Sequence, residues 1–236
     1  MDFENELIPG LLVKRYKRFF ADIKFKNKII TAHCPNSGSM LNLVKKGNPV
    51  WFSKSQNEKR KLKYTLQIIE VAGVKFCINT HITNKVIKES LEKKLIDELK
   101  NYELVRAEKK FGKNTRFDFL LADTKNGKKA FLEVKSVSLS RKKGHAEFPD
   151  AVTERGKKHL ENLILANNQG YKSYLLFLIQ IEKCKSFSIA SDIDPVYFKV
   201  LKNALKKNVN LLCYDCKFSN KGIKINKKIN ILLNEK

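Results

Sequence analysis

Asp118, Glu133 and Lys135 are the residues of this chain whose types and spacing are best suited to chemistry. They lie in two apolar runs, from Arg116 to Ala122 and from Lys129 to Val137, divided by Asn126-Gly127. Asn-Gly between apolar runs is a strong hairpin signal. With these two residues as the turn, Lys125 pairs with Lys128, Asp118 falls opposite Lys135, and Glu133 opposite Leu120. Strand side chains have period two, so all three polar groups then project from one face. The two carboxylates become diagonal neighbours, about 7–8 Å apart at the backbone. A four-residue loop keeps this parity and a three-residue loop destroys it. Carboxylates flanked by Phe117, Phe119, Phe131, Leu132 and Val134 are costly to bury unless paired or metal-bound. Hard oxygen ligands of this kind suit Mg²⁺ or Mn²⁺. A Lys beside them can orient a water and neutralise a phosphate. A solvated hairpin edge with a cross-strand Asp–Lys pair would give the same pattern, so spacing alone leaves both readings open.

The elements that must position this hairpin fall into two parts. Up to about residue 79 the sequence alternates short segments rich in Ile, Val, Phe and Tyr with turn-like separators. The segments are Leu11 to Phe20, Ala21 to Phe25, Ile29 to His33, Val50 to Ser53, Tyr64 to Val71 and Val74 to Ile78. The separators include 26–28, 35–38 and 46–49. Five or six short strands in so few residues predict a small OB-like β-barrel over 1–79. Beyond Asn79 the period changes. Val86, Leu91, Leu95, Ile96 and Leu99 recur at helical spacing, with Thr83 or Asn84 as N-cap. The hairpin follows, then a helix from about Ala151 to Asn167 with Asp150 as N-cap, a strand from Ser173 to Gln180, a helix from Pro195 to Lys207 and a strand from Asn210 to Tyr214. This order predicts a mixed-sheet α/β domain over 80–236.

The chain carries 48 basic and 24 acidic residues, a formal charge of +24. A basic surface attracts polyanions, nucleic acid above all. Only seven of the basic residues are Arg. Lys-rich drift therefore accounts for part of the excess, and charge alone does not fix the partner. Arg15, Tyr16, Arg18 and Phe19 interleave cations and rings as a nucleic-acid groove would, and as a half-buried barrel strand also would. His33-Cys34-Pro35-Asn36 offers too few ligands for zinc. It reads instead as a rigid turn whose Asn36, Ser37 and Gly38 amides could hold a phosphate. The five cysteines are an odd, unpatterned set, and Cys213 with Cys216 forms a lone CxxC, so reduced buried thiols are expected. No apolar run approaches the length of a membrane span. The acidic start from Met1 to Glu6 argues against a leader peptide. The expectation is a cytoplasmic protein without membrane contact, with homo-oligomerisation left open.

Four stretches carry a resemblance. Asp118 followed by Glu133-Val-Lys135 on a hairpin after a helix resembles the PD-(D/E)XK nuclease superfamily. The runs 33–40 (HCPNSGSM), 116–121 (RFDFLL), 133–137 (EVKSV) and 148–160 (FPDAVTERGKKHL) together resemble the sugar fermentation stimulation protein family. The resemblance implies an OB-like N-terminal part, a nuclease-like C-terminal domain and DNA binding. It implies Asp118, Glu133 and Lys135 as catalytic residues, and Asp118 and Glu133 as ligands of Mg²⁺ or Mn²⁺. Glu89, on the preceding helix, is the candidate for a further carboxylate ligand, with Glu108 behind it. Arg116, Arg155 and His159 join Arg15, Arg18, Asn36 and Ser37 as candidate DNA contacts. Arg155 and His159 are four apart and so share a helix face. Gln180 interrupts an apolar strand and reads equally as a site residue or a satisfied core amide. Two positions depart from the family pattern. Ser37 stands where Thr is common, which keeps the hydroxyl, and Ser39 where larger or basic residues are frequent, which removes a phosphate contact. A DNA-binding regulator that keeps the fold without catalysis is the competing expectation.

Overall fold

A computed structural model describes residues 1–3, 5–112, 115–219 and 221–233. The first six strands are β1 (Ile8–Tyr16), β2 (Phe20–Phe25), β3 (Lys28–His33), β4 (Pro49–Lys54), β5 (Tyr64–Val71) and β6 (Val74–Cys77). They form a sheet in the order β3-β2-β1-β4-β5-β6, and a parallel pairing of Ala32 with Tyr64 and His33 with Thr65 closes five of them into a barrel. Closure removes the exposed sheet edges that short strands otherwise leave. The expected OB-like barrel is therefore present. Its β5–β6 hairpin turns at Ala72-Gly73, both in the left-handed region that such tight turns require.

The second part begins with α1 (Thr83–Glu92) and continues with β7 (Tyr102–Phe111), β8 (Thr115–Asp123) and β9 (Lys129–Val137). Next come β10 (Leu139–Lys142), β11 (His145–Phe148), α2 (Glu154–Asn168), β12 (Lys172–Ile179) and β13 (Ser186–Ile189). The chain closes with α3 (Pro195–Lys206), β14 (Asn210–Phe218), β15 (Ile223–Lys228) and β16 (Asn230–Leu232). A six-stranded sheet runs β15-β14-β12-β9-β8-β7, with β12 parallel to both neighbours and the outer pairs antiparallel. The apolar run of β12 is buried on both faces, as a central parallel strand must be. Helix α1 packs on one face of this sheet with Val86, Ile87 and Leu91 against Leu121, Leu132, Leu176 and Leu178. Helices α2 and α3 cover the other with Leu160, Leu163, Tyr197 and Leu201. Strands β10, β11, β13 and β16 form a second, smaller sheet. This is a mixed-sheet α/β domain, as the sequence predicts.

Several local expectations are corrected. Helix α1 stops at Glu92 because Lys94 turns left-handed and the Leu95 N–H returns to Ser90 O, a helix-closing bond. Ile96 and Leu99 still reach the core, but from an irregular segment. Neither Thr83 nor Asn84 caps the helix, since both side chains make tertiary hydrogen bonds and Ile82 holds the N-cap position. Helix α2 begins at Glu154, capped by Thr153 Oγ1, which accepts from Gly156 N; Asp150 lies outside it. The Asn126-Gly127 pair belongs to a four-residue connection, with Asp123 N–H donating to Lys128 O and Gly127 at φ 68. Strand β7 is an edge strand so rich in Glu, Lys and Arg that its sequence does not declare it.

Barrel and α/β part share one hydrophobic cluster, running from Leu12, Val50 and Phe52 through Phe76 and Ile78 to Ile179, Ile181 and Phe187. The backbone joins them as well: Cys77 N–H donates to Gln180 O, and Glu182 N–H to Lys75 O. All five cysteines are free and buried. Cys213 and Cys216 fall in different core clusters, so the CxxC spacing on β14 sends the two thiols to opposite faces. Among the described residues no helix is long and apolar enough to cross a membrane.

Candidate active site on the splayed hairpin

The four-residue turn shifts the hairpin by two positions from the two-residue register while keeping its parity. Phe119 pairs with Leu132, Leu120 with Phe131 and Leu121 with Ala130. Pairing stops there, one step before Asp118 would face Glu133. Phe117 and Phe119, two residues apart, lie in different core clusters, which a regular period-two strand forbids. The chain therefore turns over at Asp118. Its Oδ2 accepts the Val134 N–H at 2.8 Å, filling the place a ladder carbonyl would take, and its Oδ1 accepts from Asn84 Nδ2 of α1 at 2.7 Å. Asn84 is the site neighbour that sequence reasoning missed; the residue looked like a cap, and nothing in its spacing pointed at Asp118.

Glu133 comes from the α2 side of the sheet and is 2% exposed. Its Oε1 accepts from Lys135 Nζ at 2.6 Å and from His159 Nδ1. His159 Nε2 lies 3.4 Å from Arg155 Nε, which can only donate, so the imidazole proton is on Nδ1 and faces Glu133. Glu133 Oε2 is buried with no hydrogen-bond partner among the described residues. Burial alone would raise the pKa of Glu133, but the Lys135 ammonium and the His159 N–H outweigh it and hold the carboxyl below its ordinary value. Asp118 goes the other way. Burial first, and the Glu133 charge second, push its carboxyl up to about 6 against the pull of the Val134 amide and Asn84. Two carboxylates converging in a half-dry space, one oxygen unsatisfied, make a demand for positive charge that Lys135 alone does not meet.

An open cavity of about 810 Å³ adjoins this centre. Arg116 of β8, Lys110 of β7, and Arg155, Lys158, His159 and Asn162 of α2 line it. Helical spacing turns the four α2 residues to one side. Arg116 is exposed and 3.6 Å from Glu108, so Glu108 is a partner of Arg116 at the cavity wall. Arg116, Arg155 and His159 thus share one cavity, which His159 links to the centre through its bond to Glu133, while Asp118, Glu133 and Lys135 are not among its lining residues.

The remaining candidates stand elsewhere. Glu89 does not reach the centre: its carboxylate pairs with Lys93 and with the Met1 amino group. Asn84 and Glu89 are five residues apart, about 140° around the helix, so one cannot point where the other does. Arg15 is spent inside the barrel turn, donating to the carbonyls of Asn36 at 2.8 Å, Gly38 at 3.0 Å and Arg18 at 3.0 Å. Arg18 is exposed on the β1–β2 turn at φ 62. Asn36 is buried, and its Oδ1 takes the Gly38 N–H, so that amide is not available to a phosphate. Ser37 is exposed. The turn is fastened to the second part: Ser39 Oγ donates to Asp150 O at 2.9 Å, and a Cβ at Gly38 would lie 2.2 Å from an Asp150 oxygen. Gln180 is a buried amide whose Oε1 accepts from Thr83 Oγ1 at 3.0 Å and from Ser136 Oγ, while its Nε2 has no partner among the described residues, so it is only half satisfied.

Comparison with known proteins places this arrangement in context. Residues 81–222 match the family model described as the sugar fermentation stimulation protein RE domain, and residues 13–78 match the SfsA N-terminal OB domain. The sugar fermentation stimulation protein homolog of Pelagibacter ubique is 53% identical over 232 residues, 98% of this chain and 99% of that protein. The homolog of Pseudoalteromonas atlantica is 42% identical over 236 residues, 99% of this chain and 100% of the other. A solved structure of Pyrococcus furiosus SfsA in complex with Ca²⁺ superposes with a TM-score of 0.88 at 24% identity, covering 98% of both chains.

Proposed function

Since the chain belongs to the sugar fermentation stimulation protein family, we propose that it is a DNA-binding protein whose hairpin centre cleaves phosphodiester bonds with a divalent metal. The carrying observation is Glu133 Oε2, a buried carboxylate oxygen without a partner, next to a second carboxylate whose pKa is raised. Asp118 and Glu133 fit Mg²⁺ or Mn²⁺ by donor chemistry, since Mg²⁺ is held by one or two carboxylates and completes its shell with water and phosphate oxygens. The solved Pyrococcus furiosus relative, a Ca²⁺ complex, agrees with a preference for hard cations. Held by Asp118 and Glu133, the ion would supply positive charge at the scissile phosphate and make water a better nucleophile at neutral pH.

The chain's own residues do the rest. Lys135 and His159 satisfy Glu133 Oε1 and hold the carboxylate charged, leaving Oε2 as the ligand. Asn84 and the Val134 amide orient Asp118. Arg116, Arg155 and Lys158 line the adjoining cavity, where they bind strand phosphates and set the strand's register. The +24 charge draws the polyanion in from a distance.

The non-catalytic DNA-binding regulator has one observation on its side. No group of three or more His, Cys, Asp or Glu able to hold a metal occurs among the described residues. One experiment divides the two readings: incubate identically purified wild type and Asp118→Asn with single-stranded, duplex and branched DNA, with and without Mg²⁺ or Mn²⁺. Metal-dependent cleavage by wild type that the variant lacks supports the nuclease. Cleavage surviving undiminished in the variant, or absent from wild type on every substrate, removes it.

A further inference from the structure

Beside the α1 N-terminus lies a second cavity of about 410 Å³, between the closed edge of the barrel and the start of the α/β part. Five cationic or titratable bases face it: His33 from β3, Lys54 from β4, Arg60 from the β4–β5 connection, His81, and Lys85 from α1. Among the described lining residues Asp2 is the one carboxylate. Lys54, Arg60 and Lys85 have no ion pair with any described residue. Among the described residues the Arg60 guanidinium hydrogen-bonds Thr65 Oγ1 alone, at 3.3 Å.

The floor is built rather than incidental. Asn79 Nδ2 donates to Gln67 Oε1 at 2.7 Å, Gln67 Nε2 donates to Ser53 Oγ at 2.9 Å, and His81 N–H donates to Asn79 Oδ1 at 3.0 Å. Asn79 and Gln67 are buried, so the hydrogen-bond chain fixes the wall that carries His81. The rings of His33 and His81 stand 6.3 Å apart, centroid to centroid. Burial lowers the pKa of His33 most, and the neighbouring charges of Arg60 and His81 lower it further. Several cations with few anions around a concave space of this size suit a compact dianion better than the singly charged diester of a strand interior.

We propose that this cavity binds a phosphomonoester, with Arg60, His33 and His81 as its principal donors. Lys85 lines the cavity while its neighbour Asn84 holds Asp118, so the pocket and the hairpin centre are separated by little more than one helix. A phosphomonoester at a strand end would then sit within a few nucleotides of that centre. This last step rests on the nuclease reading; the binding site itself does not.

The test uses full-length protein without divalent metal. Calorimetric titrations with inorganic phosphate, a 5′-mononucleotide, and one short oligonucleotide bearing a terminal phosphate at either end or none separate the sources of the group. A terminal phosphate should tighten oligonucleotide binding about tenfold over hydroxyl ends, as one or two charge-assisted hydrogen bonds would. Arg60→Gln and His33→Gln should each erase that preference, while Lys142→Gln, on the remote β10 strand, should keep it. Asp118→Asn should also keep it, which makes a failed nuclease and a failed pocket distinguishable. Saturable binding of the mononucleotide or of free phosphate, lost in Arg60→Gln, identifies a small-molecule source for the same chemistry and supports the site. Equal affinity for phosphorylated and hydroxyl ends with no binding of free phosphate or mononucleotide overturns it. So does a preference that Lys142→Gln weakens as much as Arg60→Gln.

Discussion

Asp118 Oδ2 accepts the Val134 N–H at 2.8 Å, so the carboxylate stands between the two strands of its hairpin where their ladder ends. Backbone order at the centre is thus tied to the same oxygen pair that a metal would use. Mg²⁺ should accordingly stabilise the wild-type fold. At a hundredfold excess over the dissociation constant the gain is about 2.7 kcal/mol. Differential scanning calorimetry should show this rise in Tm for wild type, and neither Asp118→Asn nor Glu133→Gln should show it. A shift of the same size in Glu133→Gln would move the metal elsewhere.

Lys135 and Glu133 form a largely buried pair, with His159 as the second partner of the carboxylate. Lys135→Ala should cost about 3 kcal/mol of stability, because it strips charge compensation from a carboxylate that stays buried. Adding Glu133→Gln should recover part of that loss, since the double variant no longer buries an unpaired charge. Urea unfolding of the two single variants and the double gives the coupling directly, and strict additivity would contradict the pairing.

DNA binding should weaken steeply with salt, with a log–log slope near −0.9 for each phosphate neutralised. Arg116→Ala and Arg155→Ala should each reduce the slope by about one unit if both line the strand's path. Arg15→Ala should instead destabilise the barrel turn while leaving the slope unchanged, since its guanidinium is committed to the carbonyls of Asn36 and Gly38. Fluorescence anisotropy across a salt series separates these outcomes.

Glu89 is held to a pKa of about 2 by Lys93 and by the Met1 amino group. Its folded value lies below the ordinary carboxyl value of 4.5, so its contribution is complete above about pH 4.5 and disappears as pH falls toward 2. With the carboxylate a quarter exposed, solvent screening reduces the contribution to about 1–2 kcal/mol. Glu89→Gln should therefore be less stable than wild type near neutral pH, and the gap should close in acid. A constant gap from neutral pH to about pH 2 would mean that packing, not charge, is what the substitution removes.

The residues declare the barrel, α2, α3 and the central strands because apolar periodicity sets those elements. They declare the parity of the paired stretch from Phe119 to Ala122, but not the turn-over at Asp118, which breaks the period two that would have put its side chain on the face of Glu133. They do not declare the register, because Asp123 caps the turn by accepting from Lys125 N–H and draws Thr124 and Lys125 into it. Nor do they declare which α1 side chain meets Asp118. Glu89 carries the charge expected of a ligand, but helix geometry turns it toward Met1, while Asn84 turns inward. Position on a helix face decides such matters, and a face is defined only once the helix has docked.

The barrel and the α/β part share one hydrophobic cluster and are bridged by the Cys77–Gln180 and Glu182–Lys75 hydrogen bonds. A joint of that kind is a weld, without the thin neck a hinge needs. The angle between the barrel and the hairpin centre is therefore a fixed property of the molecule, and the barrel cannot fold over a bound strand like a lid. On the proposed DNA-binding reading, whatever curvature or splaying the site demands falls to the nucleic acid. Flexible or already opened strands should then be favoured over stiff duplex by the bending energy they avoid.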